Sequence, residues 1–137
     1  MENNLTNLEK VENFLKESKI FYIVTVDKNK PKARPISFLM LDNDKLWFGV
    51  GTFKDVYQQL TSNPNIEIIA MNKDKWMRYD GKAVFVNDDR LENKCLDLLG
   101  PIGDTYRKNN WRMGMFYVDS AHVEIKSIAD TVEEFDL

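Results

Sequence analysis

The chain has 137 residues, of which 43% are hydrophobic and 30% are charged, and its formal net charge is −3. These values are ordinary for a soluble globular protein, and we expect one domain over residues 1–137. The acidic balance argues against nucleic-acid binding, because a nucleic-acid binder normally presents a basic face. With one cysteine and one histidine, the sequence supports neither a disulfide framework nor a metal site built from these residues.

Targeting and membrane signals are absent from the sequence. The first residues, Met1–Asn4, are polar, and no apolar run approaches the length that crosses a membrane. We therefore expect a cytoplasmic protein with no membrane partner.

The first half of the chain mixes helix and strand signals. Thr6-Asn7-Leu8-Glu9 is a capping-box pattern and predicts a helix that ends near residue 18. Strands are predicted over residues 21–26, 32–41 and 46–50, and the turns between them are short enough for antiparallel hairpins. Thr52 is predicted to cap the next helix, which ends at residues 63–65.

The second half continues this pattern. Predicted elements are strands over 66–71 and 76–86, a helix begun by 89–92 and broken at 100–101, a short helix over 101–109, and one or two strands over 115–118 and 122–126. The acidic tail from about residue 130 is expected to fray. Because strands follow strands through short turns, we predict a mainly β (α+β) fold, an antiparallel barrel of five or six strands with helices outside.

Two stretches supply donors that suit a phosphate group. Arg34 lies in the second predicted strand, and Thr52 and Lys54 lie where the third strand passes into a helix. An arginine offers a planar pair of donors, a lysine offers a point charge, and a helix N-terminus offers free amides. The alternatives are an arginine that pairs with a carboxylate and a solvated lysine. The pattern favours binding of a phosphorylated small molecule.

Other residues indicate a pocket near these donors. Pro35 lacks a ladder donor and predicts an edge or bulged strand, and Gly81 predicts a bulge or a close backbone approach. Trp76 and Arg78 share one strand face, which suits the rim of a pocket for a flat ring, although Trp76 also suits a core.

Candidates for acid–base catalysis are few. Cys95 and His122 have no evident partners and are interpreted as structural, while Trp111 suits either a rim or a core. No Ser-His-Asp or Cys-His set can be assembled from one histidine. We therefore assign no catalytic residue and expect a cofactor to carry any reaction.

Several short motifs follow one another in a characteristic order. They are Arg34-Pro35, Leu46–Phe48, Thr52–Lys54, Val56–Leu60, Asn63–Glu67, Trp76–Arg78 and Gly81–Ala83. Over roughly residues 8–126, this order and spacing resembles the pyridoxamine 5′-phosphate oxidase-related family of flavin-binding split barrels.

The resemblance implies a six-stranded antiparallel split β-barrel that forms a homodimer, with FMN bound at the subunit interface. In this chain it implies a flavin lined by Arg34, Pro35, Ile36 and Ser37, a phosphate held by Thr52 and Lys54, and flanking positions at Val50 and Gly51. It also implies that Trp76 and Arg78 approach the cofactor, in many relatives from the partner subunit.

The expected function is that of an FMN-binding flavoprotein, an oxidoreductase that acts on an unidentified small substrate. The alternatives are flavin storage or sensing, a nitroimidazole-type reductase, a split barrel that binds a tetrapyrrole or deazaflavin instead, and a structural dimer whose cleft is vestigial. The C-terminal arginine and histidine pattern of true pyridoxamine phosphate oxidases has no clear counterpart here, so that particular reaction is not predicted.

Overall fold

The computed structural model describes residues 5–137, so Met1–Asn4 of the sequence prediction lie outside the described residues. Its elements in chain order are α1 (Asn7–Ser18), β1 (Phe21–Asp27), β2 (Lys30–Ile36), β3 (Met40–Asp42), β4 (Lys45–Gly51), α2 (Asp55–Ser62), β5 (Asn65–Asn72), β6 (Lys75–Val86), α3 (Asp89–Leu98), α4 (Pro101–Lys108), β7 (Met113–Lys126) and β8 (Thr131–Asp136).

The strands form one antiparallel sheet in the order β2-β1-β5-β6-β7-β4-β3, and β8 pairs with β7. The long strand β7 pairs with β6 along most of its length, with β4 through its first half and with β8 through its second half. The predicted fold class, mainly β with antiparallel strands and peripheral helices as in a split barrel, is confirmed. Residues 5–137 contain eight strands rather than six.

The main hydrophobic core lies between the inner face of the sheet and helices α1 and α2. The rings of Phe21 and Tyr79 pack against Phe48 with centroids 5.9 and 6.2 Å away, and Phe116 stacks on Phe48 at 5.6 Å. A second cluster packs α3 and α4 against the other end of the sheet through Leu91, Cys95, Leu96 and Tyr106. The sheet is therefore fixed at both ends by helices.

The two extra strands have simple causes. The predicted strand over residues 32–41 is two strands, because β2 pairs with β1 whereas β3 pairs with β4, and the chain changes partner at residues 37–39. The prediction that the tail frays is wrong, since β8 pairs with β7 and the Nζ of Lys10 lies 2.6 Å from Oε1 of Glu133. The predicted last strand or pair of strands is the single strand β7.

Two predicted helix starts are displaced. Helix α2 begins at Asp55 with Lys54 as its N-cap, so the prediction that Thr52 caps it is wrong. The N–H of Thr52 instead donates to the carbonyl of Arg112 at 3.0 Å. Helix α3 is capped by Asp88, one residue earlier than predicted. The capping box of Thr6 and Glu9 is confirmed.

Pro35 and Gly81 occupy the positions that their chemistry predicts. Pro35 lies in β2, which pairs only with β1 among the described strands and so forms a sheet edge. The β6–β7 register shifts between Asp80 and Lys82, where Gly81 lies opposite two residues of β7, Ser120 and Ala121, in a bulge. A Cβ at Gly81 would lie 2.5 Å from the carbonyl oxygen of Asp119, so only glycine fits there.

Candidate functional site

Arg34 lies on the inner side of β2 and is held by several oxygen atoms. Its Nη1 donates to the hydroxyl of Thr25 at 2.8 Å and to the carbonyls of Ile23 and Lys32 at 3.2 and 3.3 Å. Its Nη2 donates to Oε1 of Gln59 at 2.6 Å. The side chain therefore ties the edge strand β2 to β1 and to helix α2.

The oxygens that hydrogen-bond to Arg34 are all neutral. Burial lowers the pKa of Arg34 from its ordinary value, and the through-space attraction of Asp55 opposes this shift. A partly buried guanidinium without a directly bonded carboxylate keeps most of its positive charge uncompensated. This arrangement suits an anionic ligand better than it suits a purely structural role.

Thr52 and Lys54, the second set of predicted donors, lie in the turn between β4 and α2, the helix that carries Gln59. Val50 and Gly51 are buried at the end of β4, and a Cβ at Gly51 would lie 2.8 Å from both the Phe53 ring and the Tyr106 hydroxyl. No side chain caps the N-terminus of α2, and the exposed Lys54 occupies the N-cap. Amide N–H groups in such a first turn form a favourable position for an anion.

Arg34 and the start of α2 meet along one side of that helix. Asp55, its first residue, and Gln59 are four residues apart and so lie on the same helical face. Gln59 bonds to Arg34, and Asp55 lies close enough to influence the pKa of Arg34. Arg34 therefore lies beside α2, the helix that follows the turn of Thr52 and Lys54.

The remaining predicted residues of β2 and β4 are distributed around this point. Pro35 is exposed, and Ile36 packs against the main core. Thr52 lines a cavity of about 530 Å³ together with Tyr57, Glu92 and Arg112. Ser37 follows β2 and lines a separate cavity of about 500 Å³ near Lys16, Lys19 and Lys94. A single copy of the chain thus does not place Ser37 and Thr52 in one cavity.

Trp76 and Arg78 lie together, but on the opposite face of the sheet from Arg34. The guanidinium carbon of Arg78 lies 5.1 Å from the Trp76 ring centre, and its Nε lies 3.2 Å from Oε1 of Glu67. Opposed residues of antiparallel strands share a face. Arg78 is opposite Ile69, which is opposite the exposed Tyr22.

Arg34 belongs to the inner face by the same criterion. It lies opposite the buried Ile23, which lies opposite the buried Ile68. Within one copy, the sheet therefore separates Arg34 from the pair of Trp76 and Arg78. These two groups can meet only if a second copy contributes one of them.

The sequence interpretation did not identify Thr25 and Gln59, which hold Arg34. Thr25 is 1% exposed and lies within an otherwise apolar strand, and Gln59 lies beside the apolar side of α2. A buried threonine in a strand carries no distinctive signal, because β-branched residues are common there. Gln59 is 25 residues from Arg34 in the sequence, so no local pattern indicates their contact.

No feature of the sequence indicated the ion pair between Glu92 and Arg112 either. Glu92 is 8% exposed and accepts hydrogen bonds from Nε and Nη2 of Arg112 and, at 2.8 Å, from the Met113 N–H. The hydrogen bond from Arg112 holds the pKa of Glu92 below its ordinary value, although burial opposes the shift. This pair joins the start of α3 to the start of β7.

Cys95 is buried in the second hydrophobic cluster, and His122 lies on β7. Burial raises the pKa of Cys95 to about 12, so its thiol is a poor nucleophile. His122 does have partners, which the sequence did not reveal: Nδ1 lies 2.6 Å from Asp136 and Nε2 lies 2.7 Å from Glu134. Over residues 5–137, no group of three or more metal-ligating side chains is present.

Trp111 joins an aromatic cluster beside the β4–α2 turn. Its ring centre lies 4.6 Å from that of Phe53 and 5.6 Å from that of Tyr106. Phe53 and Trp111 remain 50% and 39% exposed.

Within residues 5–137, no helix is long and apolar enough to cross a membrane.

The fold is shared with several solved structures. A NimC/NimA family protein from Clostridium acetobutylicum is 24% identical, with 95% of this chain and 92% of that protein covered and a TM-score of 0.85. A pyridoxamine 5′-phosphate oxidase-related, FMN-binding protein from Nostoc punctiforme is 13% identical over 97% of this chain and 90% of its own, with a TM-score of 0.68. A heme-binding protein from Mycobacterium smegmatis is 11% identical over 98% and 60%, with a TM-score of 0.69.

Sequence comparison gives the family. Among curated proteins, no sequence matches the chain. The profile of the pyridoxamine 5′-phosphate oxidase family matches residues 8–125, nearly the whole chain. The chain therefore belongs to the pyridoxamine 5′-phosphate oxidase family.

Proposed function

We propose that this protein binds FMN. The observation that carries the proposal is the partly buried Arg34, which is held by neutral oxygens, one of them from Gln59 of α2, a helix whose N-terminus has no side-chain cap. Family membership and the FMN-binding relative from Nostoc punctiforme identify FMN as the phosphate-bearing ligand to test first. The chemistry of the donors fits a flavin phosphate, because a guanidinium, an ammonium and free amides all favour an anion.

The proposed roles are those that the family resemblance implies for these residues. Thr52, Lys54 and the first turn of α2 hold the phosphate, and Arg34 adds a fixed positive charge. Pro35, Ile36 and Ser37 on one side, and Val50 and Gly51 on the other, border the flavin. When bound, the flavin supplies the capacity to accept or donate hydride, and this chain binds and orients it.

The second part of the proposal is a homodimer with the cofactor at the interface. The outer sheet face exposes Tyr22 by 48% and Met71 by 66%, next to the partly exposed Trp76. An apolar, aromatic and arginine-bearing surface of this kind is typical of a protein interface. A second copy is the simplest source of a Trp76 and Arg78 pair that faces Arg34.

The third part is an oxidoreductase activity on a small substrate. A flavin needs no protein nucleophile, which agrees with a buried Cys95 and a His122 engaged on both ring nitrogens. Non-catalytic flavin storage or sensing is the alternative, and nitroimidazoles are the specific alternative substrate class. Heme is less well supported, because the single histidine is occupied by Asp136 and Glu134.

Purified protein tests these parts in turn. We expect a yellow preparation with a flavin spectrum, or a colourless one that binds added FMN with quenching of flavin fluorescence. A protein that cannot be reconstituted with FMN would refute the first part.

Sedimentation should give a dimer, and a stable monomer with bound FMN would refute the shared site. Faster reoxidation of reduced flavin by a nitroaromatic or pyridoxal compound than by buffer alone would distinguish an enzyme from a carrier.

A further inference from the structure

Gln59 forms the centre of a small polar group, the Arg34 clasp, which consists of Thr25, Arg34 and Gln59. Its Oε1 atom accepts a hydrogen bond from Arg34 at 2.6 Å and from the Thr25 hydroxyl at 2.5 Å. The Thr25 oxygen in turn accepts from Arg34 at 2.8 Å. Both neighbours of Oε1 are donors, so the hydrogen bonds themselves require the carbonyl oxygen of the amide to be at this position.

The clasp leaves part of the guanidinium open. Arg34 has five N–H donors, and its bonds within residues 5–137 use Nη1 and Nη2 but not Nε. Two of the acceptors are on β1, and one is on α2, so the plane of the guanidinium is fixed by two separate elements. The remaining donors are therefore presented in a set direction and not averaged over many rotamers.

The neutrality of Gln59 is the informative part of the clasp. A glutamate has nearly the same size and would bond more strongly to an arginine, as charge-assisted hydrogen bonds do. The same chain uses a carboxylate in this way where Glu92 holds Arg112. If the clasp served only to join β2 to α2, a carboxylate at residue 59 would make that contact stronger. If the clasp serves an anionic ligand, a carboxylate there would weaken binding of that ligand.

We infer that Gln59 is a positioning residue that fixes Arg34 without neutralising it, so that the positive charge of Arg34 is available to an anionic group of the ligand. This inference rests on the proposed function and specifies what sets the affinity of that site for an anion. Asp55 carries a negative charge near Arg34, but it is exposed and acts on Arg34 only through space. Residue 59, which bonds to Arg34 directly, therefore decides whether the positive charge of Arg34 is compensated before a ligand binds.

The decisive experiment compares Gln59→Glu with Gln58→Glu. Both variants add one negative charge to α2, but Gln58 is exposed, whereas Gln59 contacts Arg34. We expect Gln59→Glu to weaken FMN binding by about tenfold or more, since it pairs the guanidinium, and Gln58→Glu to change it by less than about twofold. Thermal stability of the free Gln59→Glu protein should be retained, because Arg34 gains an ion pair.

A second readout separates charge from structure. The FMN affinity of wild-type protein and of Gln58→Glu should fall with added salt, and that of Gln59→Glu should fall less steeply, because its Arg34 is already paired. Gln59→Met removes the acceptor without adding charge and serves if Gln59→Glu does not fold. It should weaken FMN binding while it leaves the salt dependence near that of wild type.

The outcomes distinguish the inference from the proposed function. If Gln59→Glu, or Gln59→Met in its place, binds FMN as tightly as Gln58→Glu does, the inference is wrong although FMN binding stands. If wild-type protein binds no FMN, the proposed function is wrong, and inorganic phosphate decides the inference. A phosphate-induced rise in melting temperature that Gln59→Glu abolishes and Gln58→Glu keeps would support it, and any other result with phosphate would overturn it.

Discussion

Two arginines of this chain are held in opposite ways. Arg34 is bonded to a threonine hydroxyl, a glutamine amide and backbone carbonyls, and burial lowers its pKa. Arg112 is bonded to the carboxylates of Glu92 and Asp89, and its hydrogen bond to Glu92 raises its pKa. Arg112 lies next to the β4–α2 turn, since its carbonyl accepts from the Thr52 N–H, and Arg34 contacts the helix that follows this turn.

The charge of the bonded acceptors distinguishes a structural arginine from one that serves a ligand. A carboxylate partner makes Arg112 part of the fold, because it cancels the charge and joins α3 to β7. Neutral partners make Arg34 a fixed but uncompensated charge, which is costly unless an anion shares the site. Mutations should therefore divide into two groups, one that changes stability and one that changes FMN affinity.

The largest expected effect is on stability, from Glu92→Ala. This change removes a nearly buried carboxylate that accepts from Arg112 and from the Met113 N–H. We expect a loss of about 2–3 kcal/mol in the free energy of unfolding, measured with urea, because the buried N–H is left without a partner. Asp89→Ala is the control, since it removes the exposed carboxylate of the same arginine at 3.3 Å and should cost far less. Equal losses in the two variants would remove the distinction between a structural and an incidental partner.

The next effect is on binding, from Arg34→Ala. We expect FMN affinity to fall by about 1.5–3 kcal/mol, roughly 10- to 150-fold, as for loss of a charge-assisted hydrogen bond. Arg90→Ala deletes the same charge from the surface pair with Asp42 and should leave FMN affinity nearly unchanged. An unchanged dissociation constant in Arg34→Ala, measured by fluorescence quenching, would contradict the role of Arg34.

A smaller effect with two opposite signs is expected for Lys54→Ala. Lys54 is exposed at the N-cap of α2, where a cation opposes the helix dipole, so its removal should slightly stabilise the free protein. The same change should weaken FMN binding by about 0.5–1 kcal/mol, because an exposed charge pair is screened by solvent. Melting temperatures with and without FMN should therefore move in opposite directions. A parallel fall in both would indicate that Lys54 acts on the fold and not on the ligand.

The parts of this comparison that the sequence could predict are those with local causes. Thr6 and Glu9 define a capping box within four residues, Pro35 restricts its strand to an edge, and Gly81 permits the bulge. Arg34 was recognisable because a charge between apolar neighbours in a strand is costly unless it is paired or solvated, and Lys54 because a cation opposes the dipole at a helix start. Fold class followed from the order of strands and short turns.

The parts that escaped prediction depend on contacts between distant positions. Thr25 and Gln59 are 34 residues apart and become partners only when α2 packs over β1. Glu92 and Arg112 are 20 positions apart, and all of α4 lies between them. The tail was expected to fray because it is acidic, yet His122 and Lys10 supply the opposing charges from β7 and α1. Such pairings have no periodic signature in one sequence.

His122 offers the smallest effect and completes the comparison as a surface cation paired with carboxylates. Both of its ring nitrogens contact β8, through Asp136 and Glu134, and Asp80 lies opposite it on β6. The hydrogen bonds that His122 makes to Asp136 and Glu134 raise its pKa above the ordinary value of 6.5. The chain has no other histidine, so one NMR titration follows this group alone.

The sign of its pH dependence is fixed by the direction of that shift. The protonated ring donates to both carboxylates, so its contribution to stability is fully present below pH 6.5 and is lost as the pH rises through the higher pKa of the folded state. We expect wild-type protein to exceed His122→Gln in stability most at about pH 6 and least at about pH 9. Exchange protection of β8 amides should follow the same trend. A titration midpoint at or below 6.5, or a stability difference that grows with pH, would show that β8 is held by its backbone pairing with β7 and not by this histidine.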